Sequence, residues 1–392
     1  MLAFKKTTVM LAALAGLPFG CRVQRTDQGN DSGDSIVSQV LGAGPSTTAN
    51  AFEFGPGVLV DPDRPAVYLM NPQGGIDAVD LSSGALIWST VAAAKPLLLH
   101  GDLLVAQAEG GGNFDIVTLD TKNAGRLVLV ATVDLPEGVS ASVDDGLGTS
   151  FLVSARRDES GVFVLWRFAT QQISGADPGE DAAVRQVSGA ARIDLETGRV
   201  DPLDPQAVPE PAEPPLPENV ARLIETGELT GPVWRAGSVL ATIVRARDRT
   251  GERVTLRRWE ADSGAPLPSV LLFGPELTLR YPSVDSRHLL ASKLIDAATS
   301  TWGWSIYSLE TGERVAEVPV PLAGTPFFIW KSRLIHRSPP LSKHVEGQWI
   351  SEPLKVRSIE AASGVEIWAR SIRDTAYRGP LPPTVPASDS GT

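Results

Sequence analysis

One short phrase returns along the chain and limits what it can fold into: an acidic or small residue, variable positions, Ser or Thr, then Gly. It reads DLSSG at 80–84, DLETG at 194–198, EADSG at 260–264, SLETG at 308–312 and EAASG at 360–364, and a looser copy, DTKNAG, stands at 120–125. Each copy follows a short apolar or alternating run, such as Ile76–Leu81, Ala190–Leu195 or Trp304–Leu309, and most precede another. Two strands joined by a tight loop need a residue at positive φ, which Gly supplies, and a short polar side chain that closes the turn. The phrase therefore predicts a series of β-hairpins built around Asp80, Gly84, Asp194, Gly198, Gly264, Gly312 and Gly364.

The spacing of the hairpins sets the architecture. The glycines at 84, 125, 198, 264, 312 and 364 are separated by 41, 73, 66, 48 and 52 residues. Periods of about 40–50 residues, each holding several short strands, are those of four-stranded propeller blades. The two long intervals hold inserts at 171–187 and 201–230. The first (QQISGADPGEDAAVR) has no strand pattern, and the second opens with DPLDPQAVPEPAEPPLP, too rich in Pro for a helix or a central strand. Just after it, NVARLIETGEL at 219–229 places Val220, Leu223 and Ile224 on one face of a short docking helix. The expectation is an all-β chain: a propeller of six four-stranded blades over residues 51–378, with one short inserted helix. A seventh blade would require the stretch 51–60 to pair differently or a blade to lack its marker. Runs such as Lys95–Leu99, Leu103–Ala108, Phe151–Ser154, Val162–Phe168, Val239–Val244 and Pro326–Trp330 supply earlier strands, many apolar on both faces, as strands between neighbouring blades are. With 37 Gly and 31 Pro, the composition favours turns over long helices.

Two copies of the phrase are fuller: AVDLSSGALIW at Ala78–Trp88 and SIEAASGVEIW at Ser358–Trp368. They resemble the repeat of quinoprotein-like (PQQ-like) β-propellers through Ala78, Asp80, Ser83, Gly84 and Trp88, and through Ser358, Glu360, Ser363, Gly364 and Trp368. The resemblance implies that each Trp docks on the small residue of a neighbouring blade and stacks on the Gly peptide. Other copies place Pro202, Pro268 and Ala316 where the Trp would stand. Quinone-dependent dehydrogenases of that family hold their cofactor against a disulfide of adjacent cysteines. This chain has one cysteine, so no cofactor is expected.

That cysteine, Cys21, closes a stretch with Lys5 and Lys6 at its start and an apolar run from Val9 to Leu17, which reads as a secretory signal over residues 1–20. The run is too short for a membrane-spanning helix, which needs about 20 residues. The ending resembles the lipobox of bacterial lipoproteins, with Cys21 the lipidated residue, although Pro18 stands where Leu is usual. Arg22 in place of Asp implies, by the same resemblance, an outer-membrane anchor facing the periplasm. Residues 21–50, rich in Gln, Asp, Ser, Gly and Asn, and 379–392 (GPLPPTVPASDSGT) have the composition of a disordered tether and tail.

Composition removes several functions. The net charge of −11, or −13 without Lys5 and Lys6, opposes binding to nucleic acid. His100, His288, His336 and His344 stand in no HExxH or three-ligand spacing, no GxSxG occurs, and Gly110–Gly112 lack the Lys and Ser or Thr of a phosphate loop. His288 and His336 read as strand-end histidines bonded to loops, and the pairs Asp61/Asp63 and Asp144/Asp145 read as turns. Trp302, Trp304, Trp330 and Trp349 read as blade core ahead of a binding face, and KSRLIHRSPPLSKH at 331–344 as a long, basic, exposed loop. The expected protein is a non-catalytic envelope lipoprotein that binds envelope proteins, similar to the propeller scaffold of the β-barrel assembly machinery. A small-ligand or carbohydrate-binding propeller is the alternative and a PQQ-dependent oxidoreductase a distant third. Loop aromatics at one mouth would favour the alternative, and apolar strand edges at the rim the scaffold.

Overall fold

The computed structural model describes residues 51–110, 114–142, 149–158, 161–171, 184–209, 214–248, 251–273, 279–299, 301–320, 326–345 and 348–374. The signal, Cys21, the tether and the tail lie outside the described residues.

Six antiparallel sheets follow one another along the chain, each with its strands in sequence order. Blade one holds β1 (Phe52–Gly55), β2 (Val58–Asp61), β3 (Ala66–Met70), β4 (Ile76–Asp80) and β5 (Leu86–Thr90). Blade two holds β6 (Lys95–His100), β7 (Leu103–Gln107), β8 (Phe114–Asp120) and β9 (Arg126–Val133), and blade three β10 (Thr149–Asp158), β11 (Gly161–Gln171), β12 (Val184–Ile193) and β13 (Val200–Leu203). Blade four is β14 (Trp234–Ala236), β15 (Val239–Asp248), β16 (Gly251–Glu260) and β17 (Pro266–Phe273), and blade five β18 (Leu279–Pro282), β19 (His288–Asp296), β20 (Thr301–Ser308) and β21 (Arg314–Val320). Blade six pairs β22 (Phe327–Trp330), β23 (Arg333–Ser338), β26 (Lys355–Glu360) and β27 (Glu366–Ser371). A two-stranded hairpin, β24 (Leu341–Val345) and β25 (Gln348–Glu352), rises between β23 and β26.

Every marker phrase joins the last two strands of its blade. In the first, Gly84 N–H donates to Asp80 O at 2.8 Å, the Asp80 carboxylate accepts from Ser83 N–H, and Gly84 sits at φ 71°. The turns at Asp194, Glu260, Ser308 and Glu360 repeat the backbone bond to Gly198, Gly264, Gly312 and Gly364. The turn chemistry therefore fixes where each sheet ends.

Apolar surface between consecutive sheets forms the core. Leu59, Tyr68 and Ala78 of blade one meet Leu99, Leu104 and Val117 of blade two. Val105 and Ile116 meet Phe151 and Val164 between blades two and three. The same arrangement joins blades four and five through Leu256 and Leu289, and blades five and six through Trp304 and Phe327. Blade six returns to blade one through Phe328, Ile335 and Trp368 against Phe54, Val60 and Val79, which closes the ring. Strands buried on both faces, such as β2 and β3, carry uninterrupted apolar runs because each blade is sandwiched between two others.

The joint between blades three and four is built differently. Val208, after a 3-10 turn at Pro205–Ala207, packs on Phe163 and Ala190 of blade three. Val220 and Leu229, on and after helix α1 (Glu218–Glu225), pack on Leu240 and Trp259 of blade four. The inserted segment thus fills this joint. Leu223 joins the contact, but Ile224 is exposed, because the helix is only eight residues long and offers one narrow stripe.

Four expectations are corrected. Residues 52–55 do not belong to a seventh blade; they add a fifth strand, β1, on the inner side of β2. The first insert is shorter than 171–187, since Val184–Val187 pair with Phe168–Gln171 and lengthen a hairpin. The second does not start at 201: Asp201 and Pro202 lie in β13, where Pro202 pairs with Ala191, because an outermost strand does not need its second row of N–H donors. The basic stretch at 331–344 is not a loop but β23, a connection and β24. Leu334, Ile335, His336 and Ser338 are buried there, the charged Arg333 and Arg337 being accommodated at the two ends of β23.

Candidate functional site

The marker residues prove to be the joints of the ring. A Cβ added to Gly125 would lie 2.6 Å from the Trp88 ring, and one added to Gly84 2.5 Å from Trp368, so each Trp covers the marker glycine of the next blade. Leu129 does this for Gly198 and Pro319, more loosely, for Gly364. At Gly264 the insert takes over, with Asn219 donating its side-chain amide to Gly264 O at 2.6 Å. At Gly312 the cover is Val270 and the buried guanidinium of Arg258, which donates to Glu310 O at 2.6 Å and Pro268 O at 3.0 Å. The resemblance misplaced one partner: the small residue belongs to the Trp's own blade, as Ala78 pairs directly with Trp88, and Ser358 with Trp368. Strand pairing sets these residues side by side on one face, and the Trp then projects from that face onto the next blade.

The inner strands converge on a charged cluster. Glu53 on β1 is pushed up in pKa by burial, against the opposing pull of Lys95 and Arg337. Lys95 donates to Val153 O at 3.3 Å, bridging the inner strands of blades two and three. Phe52 and Phe54 flank Glu53 and meet Phe328 edge to face, each at 5.0 Å. β1, the innermost strand of blade one, thereby packs two aromatic rings against blade six.

Of the four histidines, His100 ends β6, His288 begins β19 and His336 lies within β23, on three different blades, and the side chain of His344 falls outside the described residues. His336 is not bonded to a loop. It is fully buried, neither ring nitrogen has a hydrogen-bond partner, Trp304 stands 5.7 Å away, and burial drives its pKa down to about 3. Asp61 and Asp63 form a turn, with Asp61 Oδ1 accepting from the backbone of Asp63 and Arg64. Asp144, Asp145, Gly111 and Gly112 lie outside the described residues. Among the described residues no group of three His, Cys, Asp or Glu side chains is placed to hold a metal ion, and no helix is long and apolar enough to cross a membrane. Trp304 and Trp330 are buried and Trp302 is half-buried, so these three form core.

Among the exposed aliphatic side chains of the described residues are two groups that sequence patterning missed. In blades four and five, at the ends of the sheets opposite the marker turns, Leu271 is 61% exposed, Leu294 47% and Ile295 56%. Arg245, Arg253 and Lys293 are exposed on the same strand ends. In blade two, the outermost strand β9 leaves Leu127, Val128 and Val130 half exposed. Apolar content alone does not tell which strand of a blade is outermost.

Together the six sheets, the closed ring of apolar joints and the glycine covers define a six-bladed β-propeller. No protein-family model and no curated protein matches the sequence. Solved structures that it resembles include a dihydro-heme d1 dehydrogenase, NirN (12% identity, TM-score 0.30, 82% of this chain and 66% of that one). Others are the AtxE2 isopeptidase (12%, 0.37, 82% and 50%) and the Swd1 β-propeller domain of Myceliophteria thermophila (10%, 0.25, 83% and 90%). The chain spans about half the length of the isopeptidase and 66% of the dehydrogenase. Likenesses this distant carry no functional argument, and the assignment of the fold rests on the sheets themselves.

Proposed function

We propose that this protein is a non-catalytic scaffold, anchored to the bacterial outer membrane through lipidated Cys21 and facing the periplasm, that binds envelope proteins. The observation that carries the reading is the exposure of three aliphatic side chains, Leu271, Leu294 and Ile295, at the strand ends of neighbouring blades, on strands that also expose Arg245, Arg253 and Lys293. Exposed apolar side chains rimmed by charge are the usual make-up of a protein-binding surface. The partner surface would be apolar with an acidic border. A ligand site on the axis is the second reading. Mild crosslinking in intact cells, purification through a C-terminal tag and mass spectrometry test the proposal. Recovery of an envelope protein at fixed stoichiometry supports it, and recovery of lipid alone refutes it.

A further inference from the structure

We infer that the ring opens at one joint, between blades three and four, each blade leaving with its own half of the inserted segment. Each of the other five joints is sealed by a buried apolar cluster that holds residues of both neighbours. Tyr68 shares one with Leu99, Val105 with Phe151, Leu256 with Leu289, Trp304 with Phe327, and Ile335 with Val60. Between blades three and four, among the described residues, no buried cluster holds residues of both. Val208 packs with Phe163 and Ala190 of blade three, whereas Val220 and Leu229 pack with Leu240 and Trp259 of blade four. Parting these two blades leaves both clusters whole. Parting any other pair divides a shared core and exposes its apolar surface to water.

The marker glycines draw the same distinction. Gly125, Gly198, Gly312 and Gly84 each lie under a side chain of the preceding blade, from Trp88, Leu129, Val270 and Trp368 respectively, and Gly364 lies more loosely under Pro319. Gly264 of blade four lies under Pro217 and Asn219, and Asn219 donates to Gly264 O at 2.6 Å. Blade four therefore brings its own cover. The sealed joints also carry hydrogen bonds from blade to blade. Arg64 donates to Gly101 O at 2.5 Å, Lys95 to Val153 O at 3.3 Å, Tyr307 to Leu272 O at 2.9 Å, Val284 N–H to Phe327 O at 3.0 Å, and Trp368 to Leu81 O at 3.1 Å.

The chain itself ties the two halves of the insert together. Between Val208, which stays with blade three, and Pro217, which stays with blade four, run the residues 209–216. Such a stretch reaches at most about 29 Å when fully extended, so it permits the parting and sets its limit. A scaffold built this way has two shapes, a closed ring and an open arc, and a partner that binds one better than the other selects it.

Distances between spin labels test the joint, in the full chain with Cys21→Ala so that the introduced cysteines are the sole labelling sites. Glu196→Cys with Asp262→Cys spans the marker turns of blades three and four, and Asp262→Cys with Glu310→Cys spans those of blades four and five. All three positions are exposed. The first pair should give a second, longer distance beside that of the closed ring, and the control pair a single distance. A Gly-Ser run inserted after Pro211 should lengthen the longer distance of the first pair and leave the control pair unchanged. A single distance from the first pair, a second distance from both pairs, or a longer distance indifferent to the insertion would overturn the inference.

Discussion

Trp368, in the last strand of the last blade, donates its indole N–H to Leu81 O of the first blade at 3.1 Å and lies against Gly84. Arg370, two residues on, donates to Gly84 O at 2.7 Å. Arg373 then reaches blade two, where its guanidinium forms a bidentate pair with Glu109 at 2.8 Å. Among the described residues no strand is exchanged between blades one and six, so the ring is shut by these side chains together with the backbone bond from Arg373 N–H to Met70 O at 2.9 Å.

Gly84→Ala and Gly364→Ala should therefore differ sharply. Both glycines have positive φ, 71° and 73°, and share that backbone cost. A Cβ at 84 would collide with the rigid Trp368 side chain, whereas at 364 the nearest atom, of Pro319, is 3.4 Å away. Urea unfolding should show Gly84→Ala destabilised well beyond Gly364→Ala, and Trp368→Ala by about 3–5 kcal/mol. Equal losses for the two glycine variants would remove Trp368 from the closure.

His336 makes stability depend on pH. Its folded pKa of about 3 lies below the ordinary value of 6.5, so the unfolded chain binds the extra proton throughout that window. Stability then falls as pH drops from 6.5 towards 3, by at most about 1.4 kcal/mol per pH unit from this residue. His336→Phe removes the titration and two unpartnered buried nitrogens. Thermal unfolding of both proteins should show the variant's advantage growing on acidification, and a constant difference across pH 3–6.5 would contradict the assignment.

Ser358 stands opposite Trp368 as Ala78 stands opposite Trp88, but its buried hydroxyl has no partner. Ser358→Ala should raise stability by about 1 kcal/mol, since it removes an unpaired polar group and leaves the shape nearly unchanged. Loss of stability in denaturant titration would show that the hydroxyl is satisfied in solution.

What was legible in the sequence follows from steric necessity. Only glycine suits the positive φ of the marker turns so readily, so six hairpins could be counted along the chain, and the blades with them. β1 was hidden because FEFG and VLVD, two residues apart, look like one run. Pro202 concealed a strand because its penalty vanishes on an outer edge. His336 was misplaced because a polar residue between apolar ones suggests a strand end, whereas the ring between blades five and six buries it against Trp304. Of the candidate surface nothing was legible. Leu294 and Ile295 lie where β19 runs past Ser292, the last residue it pairs with β18, a fact of tertiary structure.

Lipidation has its own check. Replacing Cys21 with Ala should move the protein from the membrane fraction to the soluble fraction of fractionated cells. Unchanged membrane retention would contradict the anchor.

The scaffold reading is tested most directly by a photo-crosslinking amino acid at Ile295 in the full-length protein, in intact cells. The control site is Asp262, exposed in the marker turn of blade four. One discrete adduct with an envelope protein from position 295, absent from position 262, is the predicted result. No protein adduct from 295, or the same adduct from both positions, would contradict a partner bound at the strand ends of blades four and five.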